Sequence, residues 1–282
     1  MTASTIARSG LRQQLRGIPL TLWIGLVLTS IWVLLALLAP MITSYDPIRV
    51  DVTQALKSPG VEHWLGSDAI GRDVLARILY GARCDLAMAF FGVVGPIVLG
   101  TIVGLIGGYF GGRIDAVLMR ILEVTISFPY FVLVIAIVAV LGPGLKSYFI
   151  SLTLVNWVSY ARLMRSQALV LRGADFVLAA RCLGFGHFRI MIHHIMPNAV
   201  VPSVVFVMTD AVLTIVLGSS LGFLGLGVQP PTPEWGAMIA EGQTYLTTAW
   251  WISIFPGLAV CSLALGLSLA ADGLARLFNT GP

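Results

Sequence analysis

Long stretches without a charged residue are the feature that most constrains what this chain can fold into. Residues 17–45, 86–112 and 124–145 contain no Asp, Glu, Lys or Arg. A helix needs about 20 apolar residues to cross the hydrocarbon core of a bilayer, so each stretch is long enough. Only 11% of the chain is charged, against about 25% in soluble domains. The sequence therefore predicts an all-α integral membrane protein.

The apolar stretches predict six transmembrane helices. The fourth stretch, 147–161, is short and has to continue into the segment that follows it, and the fifth is interrupted by Asp210. The predicted parts are a cytoplasmic tail (1–17), span 1 (18–40), an external segment with an interfacial helix (41–85), span 2 (86–110), span 3 (116–141), span 4 (147–171), a cytoplasmic loop (172–197), span 5 (198–221) and span 6 (250–272). Residues 86–282 then form a core of five spans.

The basic residues predict the orientation. If the N-terminus is cytoplasmic, 11 of the 17 Lys and Arg residues lie on the cytoplasmic side, as the positive-inside rule requires. Both termini are then cytoplasmic. The apolar run 18–39 exceeds the 7–15 residues of a signal peptide, and no clear cleavage site follows it, so a retained anchor is favoured. The basic residues are spread along the chain, which argues against nucleic-acid binding.

Glycines are concentrated where helices should touch. Gly100, Gly104 and Gly108 form one stripe, and small residues four apart allow close helix packing in lipid. Gly218, Gly222, Gly225 and Gly227 follow one another near the end of the fifth span. That spacing predicts either ordinary packing or a broken helix beside a pathway.

The segment between spans four and five is the most informative part of the chain. Asp175 is suited to cap a helix, and Gly184 is suited to end it. Phe176, Ala179, Ala180 and Leu183 recur at helical spacing, so we expect them to share one face. This short helix either docks a partner or lies on the membrane surface as an amphipathic helix.

Three motifs resemble one family. Residues 178–184, followed by Ile195-Met196-Pro197, are similar to the conserved cytoplasmic loop of permease subunits of binding-protein-dependent ABC importers. The family's acidic residue is replaced by Leu178. Residues 64–77 and 223–239 resemble motifs of the dipeptide, oligopeptide and nickel subfamily.

The resemblance implies a function and a set of partners. The chain would be the permease of an ATP-driven importer in the bacterial inner membrane, working by alternating access with a homologous second permease, two ATPase subunits, an external substrate-binding protein and surrounding lipid. The sequence has no Gly-x4-Gly-Lys-Ser/Thr motif. ATP and Mg²⁺ would therefore belong to the partner ATPases, and we expect no cofactor, metal site or catalytic residue in this chain.

Two sets of candidate site residues follow. We expect the ATPases to dock on Asp175, Phe176, Ala179, Ala180, Arg181, Leu183 and Gly184. We expect the translocation path to include Asp210, Ser219, Ser220, Gly222 and Glu234. An ionisable residue within a span faces a cavity or a partner, so Asp210 either meets the cargo or makes a structural hydrogen bond.

Several functions remain open from the sequence. Small peptides are the favoured cargo because no histidine lies in a predicted span, with nickel as the close alternative. An ion-coupled secondary transporter would also use Asp210 and the glycine-rich break, but it would not need the cytoplasmic loop. A membrane enzyme would need converging nucleophiles, acids or metal ligands, which the spans lack.

Overall fold

The structure, a computed structural model, describes residues 19–279. In that range the regular secondary structure is helical, apart from an isolated antiparallel bridge between Ser67 and Asp73, and turns and loops connect the helices. The helices are α1 (Leu20–Ile42), α2 (Val74–Phe110), α3 (Gly112–Ile126), α4 (Tyr130–Leu141), α5 (Leu145–Leu171), α6 (Asp175–Cys182), α7 (His187–Ile190), α8 (Met196–Ala199), α9 (Val201–Phe223), α10 (Trp235–Gly242) and α11 (Trp251–Asn279). A π-helical turn, Met191–Ile195, joins α7 to α8. The all-α class is confirmed, and the predicted tail 1–17 lies outside the described residues.

Four of the described helices are long and apolar enough to cross a membrane. They are α1, α2, α9 and α11, and α3 with α4 makes a fifth if the bent pair counts as one span. Helix α5 has 27 residues but carries Lys146, Arg162 and Arg165, and it does not meet the same criterion of length and hydropathy. The count of six spans therefore stays a prediction.

Two helix boundaries differ from the boundaries of the predicted spans. Helix α2 begins at Val74, because the Asp73 carboxylate accepts a 2.7 Å hydrogen bond from the Ala76 N–H and caps the helix there. The last residues of the predicted external segment and the predicted span 2 thus form one continuous helix. The predicted span 3 is divided into α3 and α4, which meet at 87°. Pro129 causes the break, since its ring disfavours helical backbone at Phe128 and it has no N–H to donate.

The glycine stripe of α2 packs against α5. A Cβ atom added to Gly100 would lie 2.5 Å from the Tyr160 Cβ. One added to Gly104 would lie 2.9 Å from the Met164 Cβ. These distances are too short for any side chain, so the two backbones touch. The predicted packing role of the stripe is confirmed.

Helix α1 packs on α11 through small residues and leaves its other side exposed. A Cβ atom on Gly25 would lie 2.6 Å from the carbonyl oxygen of Gly266. One on Gly266 would lie 3.0 Å from the Leu28 Cβ. Exposed apolar side chains such as Leu34 and Leu37 cover the opposite face of α1. Helix α1 therefore lies at the edge of the bundle.

Buried ion pairs fasten the 43–73 segment to the start of α2 and to α10. The Asp68 carboxylate accepts hydrogen bonds from Arg72 Nε at 2.6 Å and Arg77 Nη1 at 2.7 Å. Both arginines also pair with Glu241 of α10. The Asp73 carboxylate lies 2.8 Å from Nδ1 of His63. This end of the bundle is thus closed by charge pairs that join residues up to 169 positions apart.

Candidate functional site

The short helix of the 172–197 loop, α6, begins at Asp175. This is one residue earlier than expected if Asp175 were the N-cap residue. Ala174 is the N-cap residue, and no side chain caps the helix. Asp175 is the first helical residue and is exposed. The prediction that Asp175 is the N-cap is therefore wrong. Its negative charge still lies in the first turn, where it interacts favourably with the helix dipole.

The end of α6 is a Schellman motif, as the glycine predicted. Gly184 has a φ of +78°, which lies in the left-handed region. The Gly184 N–H donates to the carbonyl of Arg181 at 2.9 Å, and the Phe185 N–H donates to the carbonyl of Ala180 at 3.1 Å. The prediction that Gly184 ends the helix is confirmed.

One face of α6 is buried against the bundle. Val177 is fully buried and Ala180 is 3% exposed. They belong to an apolar cluster with Leu105 and Tyr109 of α2, Met164 and Ala168 of α5, and Ile190, Met191, Ile195 and Ala199 of the same loop and α8. Ala180 is therefore not available for docking, which corrects its place in the predicted docking set. A helix turns 100° per residue, so Ala179 and Ala180 face different directions.

The other face of α6 is exposed. Phe176 is 43% exposed and Leu183 is 73% exposed, and Ala179 lies between them on the same side of the helix. Asp175, Arg181 and Gly184 are exposed as well. Six of the seven predicted docking residues thus reach the surface. Phe188 of α7, four residues beyond Gly184 and outside the predicted docking set, is also 73% exposed.

Polar contacts fix the loop to α2 and α5. The Tyr109 hydroxyl lies 2.8 Å from Nδ1 of His187, and the Arg181 guanidinium sits 5.2 Å from the centre of the Tyr109 ring. Arg172 Nη1 donates to the Gly108 carbonyl at 3.2 Å. Arg165 of α5 holds Asp115 of α3 through two hydrogen bonds, of 2.5 and 2.6 Å. The loop is thus joined to α2 through Tyr109 and the Gly108 carbonyl, and α5 is joined to α3.

Asp210 is held inside the bundle by neutral donors. Its carboxylate accepts hydrogen bonds from Asn156 Nδ2 at 3.1 Å and from the Tyr160 hydroxyl at 2.9 Å, both on α5. The side chain is buried. This geometry matches the structural alternative, a hydrogen bond to a neighbouring helix. Sequence alone did not identify Asn156 and Tyr160 as the partners.

Within the glycine-rich segment 218–227, helix α9 ends at Phe223. Gly218 and Gly222 lie within α9, and Gly225 has a φ of +74° just beyond its end. Gly222 admits the Glu234 carboxylate, because a Cβ atom on Gly222 would lie 2.9 Å from the Glu234 Cδ. The predicted break is therefore present, and it brings α10 back against α9.

A groove of about 460 Å³ lies beside this break. Ser219 and Ser220 are two of its lining residues. Its other lining residues are apolar: Phe131, Val216, Phe223, Leu224, Ile239 and Val260. The Ser220 hydroxyl donates to the Val216 carbonyl at 2.7 Å. The Ser219 hydroxyl is buried and has no hydrogen-bond partner among the described residues. Two of the five predicted path residues therefore line one groove, whereas Asp210, Gly222 and Glu234 are buried and are not among its lining residues.

Glu234 caps α10. Its carboxylate oxygens accept hydrogen bonds from the Gly236 N–H at 2.6 Å and the Ala237 N–H at 2.8 Å. The side chain is fully buried. Burial raises the pKa of the Glu234 carboxyl group above its ordinary value. Glu234 therefore organises the backbone at the end of the groove.

The comparison with protein families identifies the chain. The model described as "Binding-protein-dependent transport system inner membrane component" matches residues 97–281. The chain belongs to this family. It is therefore an inner-membrane permease component of an ABC importer, and the match includes most of the second half of α2, the 172–197 loop and the groove.

Individual relatives agree with this assignment. This permease is 40% identical to the dipeptide transport system permease protein DppC of Alkalihalophilus pseudofirmus over 251 residues, which cover 89% of this chain and 83% of the relative. It is 36% identical to the probable D,D-dipeptide transport system permease protein DdpC of Escherichia coli, covering 94% of this chain and 89% of the relative. It is 39% identical to the glutathione transport system permease protein GsiD of Pectobacterium atrosepticum, covering 79% and 74%.

A solved structure shares the fold. An inward-facing structure of the MetNI methionine ABC transporter matches with a TM-score of 0.57 and 18% sequence identity. The match covers 71% of this permease and 95% of the matched chain. At this identity the comparison supports the helical architecture of the permease and carries no information about cargo.

Proposed function

We propose that this permease forms one half of the passage of an importer for small peptides, and that separate ATPase subunits drive it by docking on the 172–197 loop. ATP and Mg²⁺ would be bound by those subunits. A homologous second permease would supply the other half of the passage, and an external binding protein would deliver the cargo. Both termini of this chain would then lie in the cytoplasm, on the side of the loop.

The observation that carries the proposal is the two-sided construction of α6. Val177 and Ala180 are inserted between the ends of α2 and α5, and Phe176, Ala179 and Leu183 are exposed on the other side. A helix that merely lay on a membrane would bury its apolar side in lipid. Here the apolar side that is buried contacts the bundle, and a second apolar face is left for a partner.

The construction also explains how force would enter the bundle. Because Tyr109 contacts both His187 and Arg181, movement of the loop has to move the end of α2. Since α2 packs on α5 through backbone contact at the glycine stripe, the two helices would move as one body. Alternating access needs such a rigid connection between the ATPases and the helices that line the passage.

The groove with Ser219 and Ser220 is the surface that we assign to the passage. It combines an apolar wall with hydroxyl groups, which suits the mixed polarity of small peptides. Asp210 would then act by joining α9 to α5 rather than by contacting cargo, since its carboxylate is already bonded to Asn156 and Tyr160.

Peptides are favoured as cargo over the alternatives. The names of the three relatives reported above refer to dipeptides, D,D-dipeptides and glutathione, and none of those three refers to nickel. An ion-coupled secondary transporter is not supported, because family membership implies an ATP-driven system.

The experiment is to purify the tagged permease from its own host membrane with its associated subunits and to measure Mg-ATP hydrolysis by the eluate. The test variant is Ala179→Glu, which places a charge at the centre of the exposed face. Burying an unpaired charge in an interface costs about 2–5 kcal/mol, so we expect co-purified ATPase activity to fall at least about tenfold.

Val61→Glu is the matched control, because Val61 is 95% exposed in the 43–73 segment, at the opposite end of α2 from the loop. It should retain the activity of the unmodified complex. Undiminished ATPase activity with Ala179→Glu would reject the docking surface. Ala180→Glu would not be informative, since Ala180 is buried within the permease itself.

A further inference from the structure

Two carboxyl groups are buried side by side at the end of the bundle opposite the 172–197 loop. Asp85 of α2 and Glu234 at the start of α10 are both 0% exposed. Asp85 Oδ2 accepts from the N–H of Trp235, and the Glu234 carboxylate accepts from two backbone N–H groups in the first turn of α10, so the two carboxyl groups meet at the start of α10. No ion pair in the described part of the chain includes either group.

The surroundings provide hydrogen-bond donors for one negative charge. Glu234 accepts from the backbone N–H groups of Gly236 and Ala237, and Asp85 Oδ2 accepts a longer bond of 3.3 Å from the Trp235 N–H. The other oxygen of Asp85 is buried and has no hydrogen-bond partner among the described residues. Among the described residues, the other titratable groups that interact with both members of the pair are the Cys84 thiol and the Tyr148 hydroxyl, neither of which is cationic.

Two adjacent negative charges without a cation are strongly disfavoured in a buried site. Of the two groups, Glu234 has the shorter and more numerous bonds from N–H groups, so its ionised form is the better stabilised. Asp85 has a free oxygen that can carry a hydrogen and donate it to Glu234. The arrangement therefore fits one carboxylate and one carboxylic acid.

We propose that Asp85 and Glu234 form a proton-binding site that holds α10 against α2 only while one proton is shared between them. When the pH rises, that proton passes to solvent base and leaves two repelling carboxylates behind. This site is distinct from the docking loop and does not depend on the identity of the cargo.

The position of the pair makes the shared proton structurally important. Trp235, the residue after Glu234, is fully buried, and its Nε1 donates to the Ile78 carbonyl of α2 at 3.0 Å. Its ring lies 4.8 Å from that of Trp32 in α1. At its other end α10 carries Glu241, which pairs with Arg72 and Arg77. Repulsion at the pair would thus loosen a junction of α1, α2 and α10 beside the proposed passage.

The direct test is infrared spectroscopy of the full-length permease in lipid nanodiscs. A buried carboxylic acid has a C=O stretching band that an ionised carboxylate lacks. We expect the wild-type protein to show such a band at neutral pH and the D85N variant to lose it. Glu62→Gln, which changes an exposed carboxylate in an ion pair with Lys57, should leave the band unchanged. A spectrum in which D85N removes no band, at any pH that the fold survives, would overturn the proposal.

The second readout is the pH dependence of thermal unfolding. A carboxyl group whose pKa is raised by folding contributes stability that is fully present below its ordinary pKa and is lost as the pH rises through the folded value. The wild-type Tm should therefore fall as the pH rises above about 3.9–4.3, the ordinary pKa values of Asp and Glu. D85N should flatten this fall, because the side-chain amide of that variant can still donate to Glu234 without titrating. Parallel profiles for wild-type and D85N would contradict a shared proton.

A third variant tests which of the two carboxyl groups carries the proton. E234Q places an NH2 group where two backbone N–H groups already donate, so it should lower the Tm below that of D85N. Equal Tm values for D85N and E234Q would contradict the assignment of the ionised form to Glu234.

Discussion

Replacing Gly108 by alanine tests one of the close contacts between α2 and α5. A Cβ atom at position 108 would lie 2.7 Å from the Ala168 Cβ and 2.7 Å from the Arg165 carbonyl oxygen. Carbon atoms in contact are ordinarily about 3.5–4.0 Å apart. The two helices would therefore have to separate locally by about 1 Å, and neither obstacle is the movable end of a long side chain.

The expected cost follows from this geometry. Over-packing a tight contact costs about 1–3 kcal/mol, and alanine recovers up to about 1 kcal/mol of helix propensity relative to glycine. The net loss should be about 1–2 kcal/mol. For a chain of this size such a loss lowers the Tm by about 2–8 °C. The measurement is the thermal stability of the purified permease, followed by size-exclusion chromatography after heating.

Two further variants make the test specific. Gly257→Ala in α11 is the matched control, since a Cβ atom there would meet no atom within 4 Å; it should leave the Tm unchanged or raise it slightly. The double variant Gly108→Ala/Ala168→Gly removes one of the two obstacles and should recover part of the loss. Equal Tm values for Gly108→Ala and Gly257→Ala would refute the backbone contact between α2 and α5.

Two further predictions concern α6 and Asp210. Gly184→Ala puts a side chain on a residue with a φ of +78° and should cost about 1 kcal/mol, seen as a lower Tm. Gly186→Ala should not lower the Tm, because φ at Gly186 is −67° and no atom lies within 4 Å of the added Cβ. Equal losses of Tm for the two variants would contradict the Schellman motif at Gly184. Tyr160→Phe keeps the ring contact with Phe206 but removes the hydrogen bond to Asp210. It should cost about 1–3 kcal/mol, and an unchanged Tm would mean that Asp210 has another partner.

Features that depend on neighbouring residues could be predicted from the sequence. The absence of charge over some 20 residues leaves a segment little choice other than to cross lipid as a helix. The stripe of Gly100, Gly104 and Gly108 follows from helical periodicity, and so does its role in packing. Gly184 could be identified as the end of α6 because only glycine adopts a left-handed backbone without cost.

The direction in which α6 faces could not be predicted in the same way. Ala179 and Ala180 are equally small and apolar, so the pattern gave no reason to place one against the bundle and the other at the surface. The structure decides this, because Val177 and Ala180 belong to one buried apolar cluster with Tyr109 and Met164. The 87° bend between α3 and α4 was missed as well, although Pro129 was visible in the sequence.

The sequence by itself determined which segments are apolar, where glycine permits close contact and where a helix must stop, since these properties depend on residues within a few turns. Only the tertiary structure decided which polar groups meet. Asp85 and Trp235 are 150 positions apart, and Asp210 finds its donors at least 50 positions away on α5. A buried polar group must find a partner wherever the packing of apolar helices brings one, and no local pattern records that choice.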